Sequence, residues 1–291
     1  MATNLLKPSF MVDTFAEAGG FFLNDPLLPP EVLAEDPLRS DRPWFIIALA
    51  LERCKKGDFA MLQVLPTMVK RNAGAHFLDA CELLLGHAGS RSQTQGLYDA
   101  FKAEREDGHP VYCRFLCRIF VRSMQLWSVP LMLELFARYA DSRRVETFEF
   151  VHDCCSELLD EEPYGTLFDS SMPSKEFIYL AIRRYEELCQ RFGTDLVPIR
   201  RGQIFSVHSM ARWMHQVLLN PDIDRDDVES LISEERYFFE AATGIDCRSW
   251  FSELTLQPLN ASASLERFLE SVEAKTYQPG MRYFFKHPVA R

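Results

Sequence analysis

The chain is 291 residues long, 47% apolar and 25% charged, which suits one large domain or two small ones and excludes both a disordered chain and a disulfide-stapled miniprotein. Its 32 basic and 42 acidic side chains, with seven His neutral, give a formal charge of −10. That balance opposes nucleic acid as a ligand, because phosphate binding needs a basic footprint, and favours a basic partner.

Residues 1–40 are expected to be irregular. Gly19-Gly20, Pro26, Pro29-Pro30 and Pro37 interrupt every periodic pattern, while Phe10, Phe15, Phe21, Phe22, Leu27 and Leu28 predict an ordered wrap on a core. Residues 1–20 lack a basic segment followed by an apolar one, and the longest clean apolar run, Trp44–Leu51, is far too short to span a bilayer. A soluble, cytoplasmic protein without membrane association is the expectation.

From Ser40 onward the punctuation is helical. Pro43 fits a first turn, Gly57 a left-handed stop and Asp58 the cap of a second helix, 58–71, kinked at Pro66. A third helix, about 73–85, stops at Gly86, and a fourth covers 91–105. The fifth opens at Pro110 and gathers Arg114, Arg118, Arg122 and Gln125 on one narrow arc, with apolar residues from Val111 to Trp127 around the rest. Further helices are expected at 129–140, 143–160, 174–192 (Ser174 cap, Gly193 stop), 198–219 (Pro198 start), 226–242 and 262–274.

Helices of this length with short joints predict an all-α fold: stacked antiparallel helical hairpins, either a HEAT-like α-solenoid or an irregular bundle. We expect a single helical domain over 1–291, with an irregular segment 1–40, a helical body 41–274 and a tail 275–291 packed on it. No self-similar signature recurs at the 34- or 40-residue spacing of repeat families. The eight cysteines sit mostly within helical apolar patterns and are expected to be reduced, buried thiols.

No motif in the chain carries a recognised chemistry. Asp222, Asp224 and Asp226 occupy the first, third and fifth positions of a calcium loop, but Asp227 stands where a Gly is needed and Ser233 where a bidentate Glu should close the shell. His152-Asp153 matches the dipeptide of helical HD-type metal-dependent phosphohydrolases, without identifiable upstream or downstream ligands. His109, Cys113 and Cys117 fall on one helical edge and lack a closing pair for zinc, and Cys154-Cys155 is too closely spaced for a redox motif. His208 and His215, two turns apart, suit polar contacts better than ligation. There is no Gly-x-Ser-x-Gly elbow, phosphate-cradling loop or dinucleotide turn. The expectation is therefore a non-enzyme with no metal and no cofactor.

Two charged surfaces remain. The Arg114, Arg118 and Arg122 stripe reads as solvated or paired with acidic neighbours. The acidic set Asp160, Glu161, Glu162, Asp222, Asp224, Asp226, Asp227, Glu229, Glu234 and Glu235 would set up a field that speeds capture of a cationic protein.

The last fifth of the chain carries Phe238-Phe239-Glu240-Ala241-Ala242-Thr243-Gly244-Ile245-Asp246, then Ser249-Trp250-Phe251, then Tyr277-Gln278-Pro279-Gly280-Met281-Arg282-Tyr283-Phe284-Phe285-Lys286-His287-Pro288. Pro279-Gly280 demands a turn, and the aromatics after it must be pinned to the helical body. This region resembles acidic, all-helical immunity proteins of bacterial polymorphic toxins such as the Rhs class. The resemblance implies a cytoplasmic inhibitor that binds one cognate toxin domain, with no binding residue transferred by position. A HEAT-like scaffold with several partners, and a helical hydrolase using His152 and Asp153, are the alternatives.

Overall fold

A computed structural model describes residues 43–71, 75–102, 110–140, 145–161, 172–252 and 255–290. The expected wrap over 1–40 lies outside them. The fold is all-α: among the described residues eleven α-helices, α1 to α11, alternate with 3-10 turns and three two-residue hairpins. Among the described residues no helix is long and apolar enough to cross a membrane. Two compact units emerge, one from residues 43–81 with 206–289 and the other from 82–205.

In the first unit, α1 (Pro43–Lys55) ends as expected, with Gly57 at φ +82° and its N–H donating to the Cys54 carbonyl. Pro66 does not kink a longer helix. The chain makes a 3-10 turn over Ala60–Val64, its first amide held by Asp58, and Pro66 then sits in the first turn of a new helix, α2 (Leu65–Arg71), where its missing N–H leaves nothing unpaired. Helix α3 (Ala75–Ala88) runs through Gly86 instead of stopping there. That glycine serves close packing: a Cβ on it would stand 2.5 Å from the Cβ of Arg122.

The second unit continues with α4 (Arg91–Lys102), α5 (Pro110–Ser123), α6 (Val129–Ala140), α7 (Val145–Leu159) and α8 (Ser174–Phe192). Helix α8 stops at Gly193, φ +70°, as its sequence demands. Pro198 starts no helix. The chain instead forms a hairpin, β1 (Ile199–Arg200) with β2 (Gln203–Ile204), around Arg201 and Gly202 at φ +51° and +63°, the paired left-handed residues of a two-residue turn.

Ser206 then caps α9 (Val207–Leu219), Asp224 caps α10 (Arg225–Thr243), and Gly244 at φ +69° stops it. The hairpin β3 (Phe251–Ser252) with β4 (Thr255–Leu256) leads into α11, which covers Pro258–Glu270, its start fixed by Pro258, and gives way to a 3-10 turn at Glu273–Thr276. The tail forms the hairpin β5 (Tyr283–Phe284) with β6 (His287–Pro288). A run of ring contacts pins it: Trp250 on Phe239, Phe239 on Phe268, Phe268 on Tyr277 and Tyr277 on Tyr283, at centroid distances of 5.7, 5.0, 5.8 and 4.9 Å. These contacts lie within the first unit.

One arrangement occurs twice. Helix α7, helix α8 and hairpin β1–β2 correspond to helix α10, helix α11 and hairpin β5–β6 at a constant offset of 84 residues: the first helices end at Leu159 and Thr243, the second begin at Ser174 and Pro258, and the hairpins run from Ile199 to Ile204 and from Tyr283 to Pro288, although α11 ends six residues sooner than α8. In both, the amides at the hairpin tip donate to the last carbonyls of the first helix. Arg201 and Gly202 bond Glu157 and Leu158 at 3.2 and 2.8 Å, and Phe285 and Lys286 bond Ala241 and Ala242 at 2.7 and 2.8 Å. These carbonyls have no intrahelical donor, so the tip satisfies them in place of water. Matched positions from 145 to 205 share identical residues only at Arg183 with Arg267 and Glu186 with Glu270, so no sequence period is visible.

Candidate partner-binding surface

The exposed acidic surface is built at the start of α10. The Asn220 side chain accepts the Asp222 amide at 3.0 Å, shaping the turn, and Asp224 caps the helix by accepting the Asp226 amide at 2.9 Å. Asp226 and Asp227 follow in the first turn, where the helix dipole favours carboxylates. Asp222, Asp224, Asp226 and Asp227 are all exposed, with Arg225 among them.

The other acidic residues named from sequence have different surroundings. Glu229 is half-buried and accepts the Leu256 amide at 3.0 Å, so it holds β4. Glu234 is exposed, but the neighbouring Glu235 is 1% exposed, and Asp160 is 3% exposed; both face inward and drop out of any surface. Glu161 is engaged by Arg184 at 2.6 Å and Arg191 at 3.2 Å, and these guanidiniums hold its carboxyl below the usual range. Glu162 lies outside the described residues.

The arginine stripe is a helix–helix seam. Glu82, nearly buried on α3, accepts Arg122 Nε at 3.0 Å and lies 3.5 Å from Arg118, while Arg114 and Arg118 stand over the Phe150 ring on α7. Gln125 is buried and accepts the Trp127 indole N–H. The acidic neighbour anticipated for this stripe is therefore Glu82, and the guanidiniums also spend their charge on a ring face.

The metal candidates do not converge. His152 faces inward, its ring 4.7 Å from that of Phe177, while the Asp153 side chain is 74% exposed and reaches the imidazole only at 3.4 Å. Asp224 spends its carboxylate on the helix cap rather than on a calcium loop. His109 lies outside the described residues; Cys117 is hydrogen-bonded with Cys113 and lies near Cys154 and Cys155 across the α5–α7 seam; that hydrogen bond, with burial, holds the Cys117 thiol well above the ordinary range, and burial does the same for Cys154 and pushes Cys155 up to about 12. Among the described residues no group of three or more His, Cys, Asp or Glu is arranged to hold a metal ion. All eight cysteines are free, seven of them buried and Cys189 half-buried.

Sequence reasoning passed over a buried carboxylate, Glu240. Glu240 is 1% exposed in the last turn of α10, with Oε2 accepting the Cys247 amide at 3.3 Å and Oε1 without a hydrogen-bond partner. Burial pushes its carboxyl up to about 7. Arg236, one turn earlier and 2% exposed, gives its guanidinium to the Phe251 ring at 4.2 Å and to the Tyr237 hydroxyl at 3.2 Å. The available signal was a lone carboxylate inside the apolar run Phe238 to Ala242.

No protein-family model, curated protein or solved structure matches the chain.

Proposed function

We propose that this chain is an inhibitor that captures one cognate basic protein, and that it is an immunity protein of a bacterial polymorphic toxin system acting in the cytoplasm. The observation that carries this reading is the exposed set Asp222, Asp224, Asp226 and Asp227 on a chain of net charge −10. A toxin domain that attacks nucleic acid must be cationic to hold phosphate. Four carboxylates within six residues steer such a domain by long-range attraction and compete for its cationic surface. An interface of ordinary size needs only about 800 Å² from each partner, which leaves room for apolar anchors around the acidic centre.

The test is capture of the tagged chain from its native cells at moderate salt, with the retained material identified and sized. The expected result is one stoichiometric partner, the toxic domain of a large secreted protein, whose association slows on raising salt. Neutralising Asp222, Asp226 and Asp227 to Asn, with the Asp224 cap left intact, should slow association about tenfold. An unchanged rate removes the acidic surface from the interface, and several substoichiometric partners would replace the inhibitor by a scaffold.

A further inference from the structure

Glu240 stands at a junction. Its own helix turn ends at Gly244, whose N–H donates to the Glu240 carbonyl at 2.8 Å; its carboxylate holds the loop that follows, through Cys247; and the next two carbonyls, of Ala241 and Ala242, are those clasped by the tail hairpin. A Cβ on Gly244 would stand 2.9 Å from the Phe285 ring, so loop, helix end and hairpin tip are packed without slack.

Around the carboxyl the hydrogen-bonding inventory is unbalanced. Glu240 Oε1, Arg236 Nε and Nη1, and Trp250 Nε1 are all buried and lack partners, and Arg236 makes no ion pair with Glu240 despite sitting one turn away. The charges acting on the carboxyl are Arg236 on its own helix and Asp246 and Arg248 in the following loop, where those two pair with each other at 2.5 Å. The Cys247 thiol is likewise buried against it. On the packed neighbours, α9 carries His208, Arg212 and His215, α11 carries the exposed Glu266, Arg267 and Glu270, and the hairpin carries Arg282, His287 and Lys286, the ammonium of Lys286 being turned to Glu273 at 3.1 Å. None of these acts on the Glu240 carboxyl. A negative charge at Glu240 would therefore lie buried, with one backbone hydrogen bond, beside the negative end of a helix.

We propose that Glu240 is a proton-controlled latch: protonated, it lets the 244–250 loop and the tail hairpin close on the end of α10, and on losing its proton it releases them. The direction follows from linkage. The closed form holds the proton up to about pH 7, whereas an opened, hydrated carboxyl gives it up near its ordinary 4.5. Between those values rising pH favours the open form, by roughly tenfold in the opening equilibrium per pH unit, and above them the effect levels off. The equivalent position in the other copy is Ser156, which cannot ionise, so that copy serves as an internal control.

The experiment is amide hydrogen exchange on the full chain from pH 5 to pH 8, corrected for the intrinsic pH dependence of exchange. In the unmodified chain, protection over 244–250 and 283–288 should fall by about fortyfold between pH 5 and pH 7, while that over 157–161 and 199–204 holds. Glu240→Gln, which keeps the shape and cannot ionise, should abolish the fall. A flat profile at 244–250, an equal fall in both copies, or a fall that persists in Glu240→Gln overturns the proposal. If that variant does not fold, the contrast between copies in the unmodified chain decides alone.

Discussion

The two copies of the helix, helix and hairpin arrangement solve one problem with different residues. In the copy over 145–205, the hairpin tip is Arg201-Gly202, the glycine taking its left-handed conformation without penalty, and the position below the clasp is the half-buried Ser156. In the copy over 229–289, the tip is Phe285-Lys286, two side-chain-bearing residues at φ +47° and +70°, and the position below is the buried Glu240. Left-handed backbone costs roughly 1–2 kcal/mol at each such residue. The first copy thus carries one such strained residue, Arg201, and the second carries two together with a desolvated carboxyl at the same junction. Phe285 repays part of that by its ring contacts, 5.2 Å from Phe284 and 5.3 Å from the Lys55 ammonium.

Cutting the second clasp away breaks the comparison most severely. Ending the chain at Pro279 removes Phe284 and Val289, both buried, and uncovers the carbonyls of Ala241 and Ala242. We expect a loss of about 4–6 kcal/mol in urea unfolding, confined to residues 43–81 and 206–279, on the scale of large-to-small core truncations. A stability change below about 1 kcal/mol on that scale would mean that the hairpin is an ornament on α10.

In the first copy the corresponding change is smaller. Gly202→Ala introduces a side chain at φ +63° whose Cβ would stand 3.0 Å from both the Leu159 carbonyl oxygen and Glu161. Backbone strain and crowding together should cost about 2–3 kcal/mol, read as a lower urea midpoint with an unchanged slope. Equal stability would show that the tip can withdraw from α7 without consequence.

How far the sequence foretold these structures depended on whether the signal was local. Gly57 and Gly193 each close a helix as expected because a single left-handed residue suffices. Pro66 and Pro198 were misread because proline fixes only its own φ, and both a kink and a fresh start satisfy that restraint. The hairpin at 199–204 was missed because two-residue strands are too short to show alternation, although Arg201-Gly202 carried the turn. The duplication was invisible because backbone hydrogen bonds to a helix end leave the side chains unconstrained. Of the acidic surface, Asp222 through Asp227 was legible because a helix start must be solvated, whereas Glu235 and Asp160 were lost because burial is decided by the opposite wall, which the sequence does not contain.

Transplanting the second copy's residue into the first sharpens the comparison at lower amplitude. Ser156→Glu places a carboxyl at the position matching Glu240, but Ser156 is half-buried, so the longer side chain reaches water. We expect a destabilisation below about 1 kcal/mol that is the same at pH 5 and pH 8, since a hydrated carboxyl keeps its ordinary titration. A pH-dependent loss would mean that the helix end itself, rather than the burial particular to Glu240, sets the behaviour.

The smallest effect belongs to the strained tip. Lys286→Gly relieves roughly 1 kcal/mol of left-handed strain. It also removes the exposed Lys286–Glu273 pair, worth about 0–1 kcal/mol, and adds chain entropy to the unfolded state by about 0.5–1 kcal/mol. These nearly cancel, so the urea midpoint should move by the equivalent of about 0.5 kcal/mol or less in either direction. The informative readout is local: with a glycine at the tip, exchange of the amides that clasp Ala241 and Ala242 should slow at pH 5, where Glu240 is protonated and strain is what still opens the hairpin. Unchanged exchange there, with the midpoint also unmoved, would assign the opening to Glu240 alone and leave the left-handed pair as geometry without consequence.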